Sequence, residues 1–315
     1  MTGGHDRTVR LWNPLRLDPA FSTDDNAQTS QQIPRGLPIQ TYSSNFTHSI
    51  SALDTATSNE NTEWLLTAHD KTLVLTDLVT TQVLRTLSGY HSARINACQF
   101  SHPIMRDVCV SASYDRSVAL WDLRAKHSHR PIQVLDQAKD SVTDILVSTT
   151  NESAPILRSC SVDGCIRSYD IRRGILKCDD CSVPLTSMAL DKQEQCLVVG
   201  GLDGTVRLVE CESGELVNTY HGSHTSGSFG LHVAVLANDA TIATGSEDGS
   251  CVLYDYVQAN CVQKLSSTVS TTSSEQAPTC AIAAHPKQSS VLITTNFKEE
   301  AAVVWAHDPG ICSST

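Results

Sequence analysis

The sequence predicts an all-β fold, a seven-bladed β-propeller, and three observations support this prediction. One short element recurs along the 315 residues: a turn acid, an alternating apolar strand, and an aromatic or apolar residue six positions after the acid. Successive turn acids from Asp70 to Asp248 lie roughly 40 to 48 residues apart, close to the period of a four-stranded blade. Asp-Gly pairs at several of these turns supply the positive φ angles of a tight hairpin.

The recurring element occurs in clear, eroded and weak copies. The clear copies run from Asp6 to Trp12, Asp115 to Trp121, Asp163 to Tyr169 and Asp248 to Tyr254. Eroded copies run from Asp70 to Thr76 and from Asp203 to Val209, and a weak seventh runs from Glu299 to Trp305. These copies are interpreted as the hairpins between the second and third strands of seven blades.

The residues around each hairpin complete the predicted blade. Ile95 to Phe100 has the pattern of an inner strand, Val108 to Ser111 that of a second strand, and Val83 to Leu87 that of an outer strand. Labelled a to d from the inside outward, these strands form a unit that resembles the WD repeat.

The repeats predict a single propeller domain over residues 1–315. The first residues, Gly3-Gly4-His5-Asp6, already form a b-to-c turn, so we expect the first blade to be incomplete through truncation at the N-terminus. A polar segment at about 17–36 predicts a loop insertion, and a Ser/Thr-rich segment at about 266–277 predicts a flexible loop.

One set of residues could be mistaken for a catalytic triad: His91, Ser111 and Asp115, together with Trp121. In WD repeats such residues lie on adjacent strands and satisfy one another's hydrogen bonds in the interior. We interpret the four as a structural tetrad, with His224, Thr244, Asp248 and Tyr254 as an imperfect second copy. We therefore predict no catalytic residue and no enzymatic activity.

Composition argues against several other functions. The formal net charge of −11 repels a phosphate backbone, so direct nucleic-acid binding is not expected. No apolar run is long enough for a membrane helix, and no signal peptide opens the chain. Cys178 and Cys181 have CxxC spacing without further ligands nearby, which favours loop thiols over a metal site. No cofactor is expected.

Four segments between and after the repeats carry a more specific resemblance: Trp12 to Arg16, Leu135 to Val142, Ser161 to Arg172, and Leu202 to Leu216. They are similar to one particular family, the mitogen-activated protein kinase organizer, a WD-repeat scaffold also associated with spliceosomes. The resemblance implies a non-catalytic scaffold for kinase-cascade components and for a pre-mRNA splicing complex, shared between cytoplasm and nucleus. We expect a monomer within larger complexes. The stretch Thr225 to Phe229 departs from the family pattern.

Two surfaces are candidates for partner binding. The residue just before each turn acid and those entering the inner strand lie on the narrow top face of a WD propeller, and aromatic and arginine side chains are common interface anchors. His69, Arg94 and Tyr114 are therefore our protein-binding candidates.

The alternative is a substrate receptor of a cullin-type ubiquitin ligase. Trp121-Asp122-Leu123-Arg124 and Tyr169-Asp170-Ile171-Arg172 resemble the WDxR boxes of such receptors, in which the arginine meets the ligase adaptor. This reading makes Arg124 and Arg172 the adaptor contacts. An arginine after strand c is also common in ordinary blades.

Overall fold

The computed structural model shows a seven-bladed β-propeller, as the repeats predict. It describes residues 1–17, 36–43, 46–57, 63–101, 107–125, 130–148, 156–266, 277–296 and 302–306. Within these ranges the regular structure is entirely β-strand. The strands form seven antiparallel sheets, numbered here as blades 1 to 7 in chain order.

The strands of blades 1 to 3 follow the chain outward from the centre in each sheet. Blade 1 contains β1 (Thr2–Gly3), β2 (Val9–Leu17) and β3 (Gly36–Tyr42). Blade 2 contains β4 (Ile50–Thr57), β5 (Glu63–His69), β6 (Thr72–Asp77) and β7 (Val83–Leu87). Blade 3 contains β8 (Ile95–Phe100), β9 (Val108–Ser113), β10 (Val118–Asp122) and β11 (Gln133–Leu135).

The remaining blades repeat this order. Blade 4 contains β12 (Val142–Val147), β13 (Ile156–Ser161), β14 (Cys165–Asp170) and β15 (Ile175–Asp180). Blade 5 contains β16 (Leu185–Leu190), β17 (Cys196–Gly201), β18 (Val206–Glu210) and β19 (Leu216–Tyr220). Blade 6 contains β20 (Val233–Val235), β21 (Thr241–Gly245), β22 (Ser250–Asp255) and β23 (Cys261–Ser266), and blade 7 contains β24 (Thr279–Ala284), β25 (Val291–Asn296) and β26 (Ala302–Ala306).

Inner strands join the blades to one another. Those of consecutive blades are in contact, from β4 through β8, β12, β16 and β20 to β24, and β1 contacts β4. Side chains on the inner strands also bond to the backbone of the next blade. The side-chain oxygens of Asp54, Gln99, Asp144 and Ser187 each accept one backbone N–H. The donors are Phe100 at 2.7 Å, Val147 at 2.9 Å, Met188 at 2.8 Å and Val233 at 2.9 Å, respectively. These bonds satisfy buried backbone groups that lie between sheets.

Apolar residues from facing sheets fill the spaces between blades. Trp121 at 2 % exposure and Leu66 at 0 % belong to the cluster between blades 2 and 3. Tyr169 lies between blades 3 and 4, and Tyr254 between blades 5 and 6. The aromatic residue of the repeated element is therefore a core residue in blades 3, 4 and 6, which explains why its position recurs.

The outer strand predicted at Val83 to Leu87 and the inner strand predicted at Ile95 to Phe100 have the bounds of β7 and β8. Blade 1 has three strands. In blade 1 the two-residue β1 occupies the position of strand b, before the turn that contains Asp6, and pairs Thr2 with Arg10. β2 and β3 extend into the predicted insertion, so that Leu17 pairs with Gly36. The rest of that loop, most of the loop at about 266–277, and Glu299 lie outside the described residues.

Candidate functional site

The side chains singled out around the third turn acid form one hydrogen-bonded chain. The Trp121 indole Nε1–H donates to Ser111 Oγ at 2.9 Å, and Ser111 Oγ lies 2.8 Å from His91 Nε2. His91 Nδ1 lies 2.9 Å from Asp115 Oδ2. Because a carboxylate only accepts, the proton sits on Nδ1, and Nε2 accepts from the Ser111 hydroxyl.

This chain crosses from the core to the turn. Ser111 lies on β9 and Trp121 on β10, whereas His91 precedes β8 and reaches over the hairpin that contains Asp115. The Asp115 carboxylate also accepts the backbone N–H of Ser92 at 3.0 Å. The tetrad thus attaches the loop between blades 2 and 3 to the turn of blade 3.

Burial determines the charge state of this chain. His91 is 5 % exposed and Ser111 is 0 % exposed. Burial lowers the pKa of His91, although Asp115 acts in the opposite direction. Burial raises the pKa of Asp115, but hydrogen bonds from Ser117 and His91 outweigh it, and the net pKa is lowered. At neutral pH a neutral imidazole therefore bonds to an ionised carboxylate.

A nucleophilic serine must reach its substrate and have a general base free to accept its proton. Ser111 instead has no exposed surface, and its Oγ is held between the Trp121 indole and the His91 imidazole. In this arrangement the three groups can hold strands together, and a substrate cannot approach the hydroxyl.

Blades 4 and 5 hold their turn acids differently, and this arrangement was not recognised from the sequence. In blade 4 the Arg167 guanidinium lies 2.6 Å from Asp163 Oδ2 and donates to Ser161 Oγ at 2.7 Å. In blade 5 Arg207 lies 2.6 Å from Asp203 Oδ2. Both arginines stand four residues after the acid on strand c, so each ion pair is local to one hairpin.

The sequence does carry a signal for this substitution. Both arginines occupy the position that is Ala119 in blade 3, and the residues in the His91 position are Ala138 and Cys181. Backbone hydrogen bonds establish this correspondence. In each blade the residue before the turn acid donates its N–H to the carbonyl of the residue three positions after His91, Ala138 or Cys181. These carbonyls belong to Arg94, Ser141 and Pro184. An arginine therefore replaces the histidine where the loop residue is small.

The second copy of the tetrad is only partly connected. His224 Nδ1 bonds to the Tyr254 hydroxyl at 2.8 Å. The Asp248 carboxylate instead contacts Lys264 Nζ at 2.5 Å and Ser250 Oγ at 2.5 Å. Thr244 Oγ1 donates to the carbonyl of Gly245. Burial raises the pKa of Asp248, but the Lys264 and Ser250 bonds prevail and hold it at about 2.

The top face is defined here as the end of the blades that carries the turn acids. Tyr114 is 65 % exposed on this face, and Arg94 is exposed beside it. The backbone N–H of Tyr114 donates to the carbonyl of Arg94 at 2.9 Å, which brings the two predicted contact residues together. An aromatic and a guanidinium group are thus presented side by side.

His69 is not available in the way predicted for a contact residue. Its exposure is 4 %, because β5 extends to His69 before a shorter turn and pairs it with Thr72 and Ile50. Its ring packs edge-on against Phe46 at 5.7 Å, and Nδ1 lies 2.7 Å from Thr72 Oγ1. The expectation of an exposed His69 is therefore wrong.

Arg124 and Arg172 follow strand c in blades 3 and 4 and are both exposed. They lie at the opposite end of the blades from the turn acids. Arg124 forms an ion pair with Asp107 at 2.5 Å, and the backbone N–H groups of Arg124 and Arg172 bond to Asp122 and Asp170. The two WDxR boxes therefore have the same backbone arrangement in adjacent blades.

The two cysteines with CxxC spacing lie in blade 4 and directly after it. Cys178 lies on β15 and is exposed, which corrects its prediction as a loop thiol, and Cys181 follows that strand. Among the described residues no cluster of three or more His, Cys, Asp or Glu side chains could hold a metal ion. The described residues form no helix that could cross a membrane.

Repeated four-stranded blades with turn acids at one end define a WD-repeat β-propeller, and a profile of that family supports the assignment. The profile, described as "WD domain, G-beta repeat", matches residues 81–122, 173–210 and 214–255, which lie in blades 2 to 6. This match identifies WD repeats in the chain, and WD-repeat propellers are typically non-catalytic and generally bind proteins.

Individual relatives are named WD repeat domain-containing protein 83. The homolog from Dictyostelium discoideum is 26% identical over 289 residues, covering 84% of this chain and 81% of that protein. The Rattus norvegicus protein is 32% identical over 130 residues, covering 41% of this chain and 39% of its own length. The match to the rat protein thus spans about two fifths of that relative.

Similarity also extends to a protein with a different name. Autophagy-related protein 16 from Arabidopsis thaliana is 26% identical over 274 residues, covering 84% of this chain and 46% of that protein. Proteins that share a propeller fold can have different functions, so the function of this chain must be inferred from its surface residues.

Proposed function

We propose that this protein is a non-catalytic interaction scaffold that assembles kinase-cascade components, a pre-mRNA splicing complex, or both. Its similarity to WD repeat domain-containing protein 83, the mitogen-activated protein kinase organizer, supports this role. The proposed unit is a single propeller domain over residues 1–315, a monomer within larger complexes in cytoplasm and nucleus. Neither a cofactor nor direct contact with nucleic acid belongs to this proposal.

The exposed Arg94–Tyr114 pair carries the proposal. Tyrosine and arginine are enriched among residues that contribute most to protein interfaces. A tyrosine that is 65 % exposed contributes little to its own blade, and its backbone is fixed by the bond to Arg94. A rigid backbone that presents an aromatic side chain loses little entropy when a partner binds.

Affinity purification of the tagged full-length protein, followed by mass spectrometry, tests this function. Enrichment of kinase-cascade proteins supports the signalling role, and enrichment of spliceosome subunits supports the splicing role. A purification that returns neither group contradicts the proposal. Cytoplasmic and nuclear fractions, purified separately, assign each group to its compartment.

The second candidate function is that of a substrate receptor for a cullin-type ubiquitin ligase. It is favoured by the exposed Arg124 and Arg172 at equivalent positions of adjacent blades. Arg124→Ala and Arg172→Ala should each reduce recovery of the ligase adaptor, whereas Arg173→Ala, at the neighbouring exposed position, should not. If the wild-type protein recovers no adaptor, this candidate function is excluded.

A further inference from the structure

The top face of blades 1 to 3 carries four exposed basic side chains in a strongly acidic protein. Arg7, Lys71 and Arg116 each follow the turn acid of their blade directly, and Arg94 enters the inner strand of blade 3. The equivalent positions of blades 4 to 6 are glycines: Gly164, Gly204 and Gly249. Among the described turns, a basic residue directly after the turn acid thus occurs in blades 1 to 3, and glycine takes that position in blades 4 to 6.

Backbone hydrogen bonds connect these turns from blade to blade. Ile50 N–H donates to Gly4 O at 3.2 Å, which attaches the first turn to the inner strand of blade 2. Ile95 N–H donates to Asp70 O at 2.6 Å, which places Arg94 beside the turn that contains Lys71. Tyr114 N–H then joins Arg94 to the turn that contains Arg116. The four cations and Tyr114 therefore lie on successive connected turns of the top face, and this set of five residues is called here the basic arc.

Two members of the basic arc have backbones in the left-handed region. Arg7 has φ 59° and Arg116 has φ 71°, values close to φ 84° at Gly164 in the equivalent turn. A side chain other than glycine costs free energy in this conformation, and such outliers cluster at functional sites. Glycine would fold these turns more easily, so folding alone does not explain the two arginines.

The four cations are not used within the described part of the chain. The side chains of Arg7, Lys71, Arg94 and Arg116 form no hydrogen bond or ion pair with another residue of that part. The neighbouring acids are differently placed: Asp6 is held by Arg10 at 2.6 Å and Asp115 by His91 at 2.9 Å. Asp70 is the remaining acid of these turns. Positive charge therefore predominates at the exposed ends of the arc.

We propose that the basic arc binds an acidic, Asp/Glu-rich extended segment of a partner protein, with Tyr114 packing against the segment between its carboxylates. This inference rests on the proposed interaction role and specifies the chemistry of the partner. Exposed cations attract such a segment over a Debye length and orient it before contact. A nucleic acid fits less well, because the net charge of −11 repels a long polyanion beyond the arc.

Fluorescence anisotropy with a short fluorescein-labelled oligoglutamate peptide tests the proposal on the full-length protein. We expect saturable binding that weakens as salt is added. Arg94→Glu/Arg116→Glu should weaken binding about tenfold or more, since it removes two attractive charges and adds two repulsive ones. The control Arg173→Glu/Lys287→Glu makes the same charge change at exposed turns on the opposite face and should change affinity by less than about twofold.

A second variant covers the case in which the charge reversal disturbs folding. Arg116→Gly keeps the turn conformation and should also weaken peptide binding while the melting temperature does not fall. No binding by the wild-type protein, equal loss in the two double variants, or tighter binding of an oligouridylate of matched charge would overturn the proposal. If the peptide does not bind but purification still recovers kinase-cascade or spliceosome proteins, only the proposed binding of an acidic segment is rejected. Empty purifications reject the proposed function itself.

Discussion

Blades 3 and 4 stand side by side and hold the same turn acid in two ways. In blade 3 Asp115 is reached by His91 from the preceding loop, and the bonds continue through Ser111 to Trp121 in the core. In blade 4 Asp163 is held within its own hairpin by Arg167, four residues later. The first arrangement joins the preceding loop to the turn and core of blade 3 through a neutral ring, and the second stabilises one hairpin with an ion pair.

The comparison shows that the acid is needed at the turn, whereas its partner is interchangeable. In both blades the carboxylate also accepts a backbone N–H from the preceding loop, Ser92 in one and Lys139 in the other. That shared bond fixes the loop to the turn. The histidine and the arginine are two ways of keeping the carboxylate ionised and oriented, which argues for a structural role of the Ser/His/Asp set.

The largest expected effect is the loss of the buried ion pair in blade 4. Arg167→Ala leaves Asp163, whose side chain is 8 % exposed, without its cation, and should lower the free energy of unfolding by about 3 kcal/mol. Arg207→Ala in blade 5 is the matched control. Its ion pair is more exposed, so the loss measured by urea denaturation should be smaller, about 1 kcal/mol. Equal losses would contradict the dependence on burial.

Breaking the tetrad of blade 3 should have the next largest effect. Ser111→Ala leaves both the Trp121 indole N–H and His91 Nε2 without a partner in the interior, at a cost of about 2 kcal/mol. Ser159→Ala removes the corresponding buried hydroxyl of blade 4, whose partner among the described residues is the Tyr169 hydroxyl, and should cost about 1 kcal/mol. Thermal and urea unfolding of the two variants measures the difference, and a larger cost in blade 4 would refute this account.

Acidification should separate the two blades with a smaller effect. Burial lowers the pKa of His91, so its contribution to stability is complete above the unfolded value near 6.5 and is lost as pH falls below it. The pKa of Asp163 is held well below its usual range by Arg167 and Ser161 despite burial, so that contribution is complete above about pH 4 and lost at lower pH.

Amide hydrogen exchange at pH 7 and pH 5, corrected for intrinsic rates, should therefore show β10 losing protection while β14 keeps it. In His91→Gln the pH-dependent difference should disappear. Loss of protection in β14 first would show that the sign assigned to His91 or Asp163 is incorrect.

The smallest effect expected is a stabilisation. Arg116→Gly relieves the left-handed backbone at φ 71° and should raise the free energy of unfolding by about 0.5 kcal/mol, because glycine's greater freedom in the unfolded chain offsets part of the gain. Gly164→Ala is the matched change in blade 4. Its Cβ would lie 3.1 Å from both the N and O atoms of Val183, so this variant should be destabilised. Melting temperatures that move in the same direction would contradict this contrast.

Local patterns account for what the sequence predicted well. β7 and β8 follow from alternating apolar residues, and the turns at Asp163 and Asp248 follow from the acid and the glycine after it. The position of Trp121 in the core follows from the period of the repeat. Each of these depends on a pattern within one strand or turn, or on its repetition along the chain, and a single sequence displays both directly.

Other features depend on residues that are distant in the chain. The Arg167 ion pair takes the place of a histidine in the blade whose preceding loop carries Ala138, and this correspondence is evident only when backbone bonds align the blades. His69 is buried because β5 continues one residue further and Phe46 packs on its ring. The basic arc combines residues of three blades, so it emerges only when the turns are placed on one face.

We propose that function resides in the exposed top face, whereas the Ser/His/Asp set is structural. It is tested by comparing Arg94→Glu/Tyr114→Ala with Ser111→Ala for two quantities: melting temperature and recovery of the partners identified by purification, at a temperature where both variants are folded. We expect the surface variant to lose partners at unchanged melting temperature, and Ser111→Ala to melt at a lower temperature while it retains them. Partner loss in Ser111→Ala with full binding by the surface variant would contradict it.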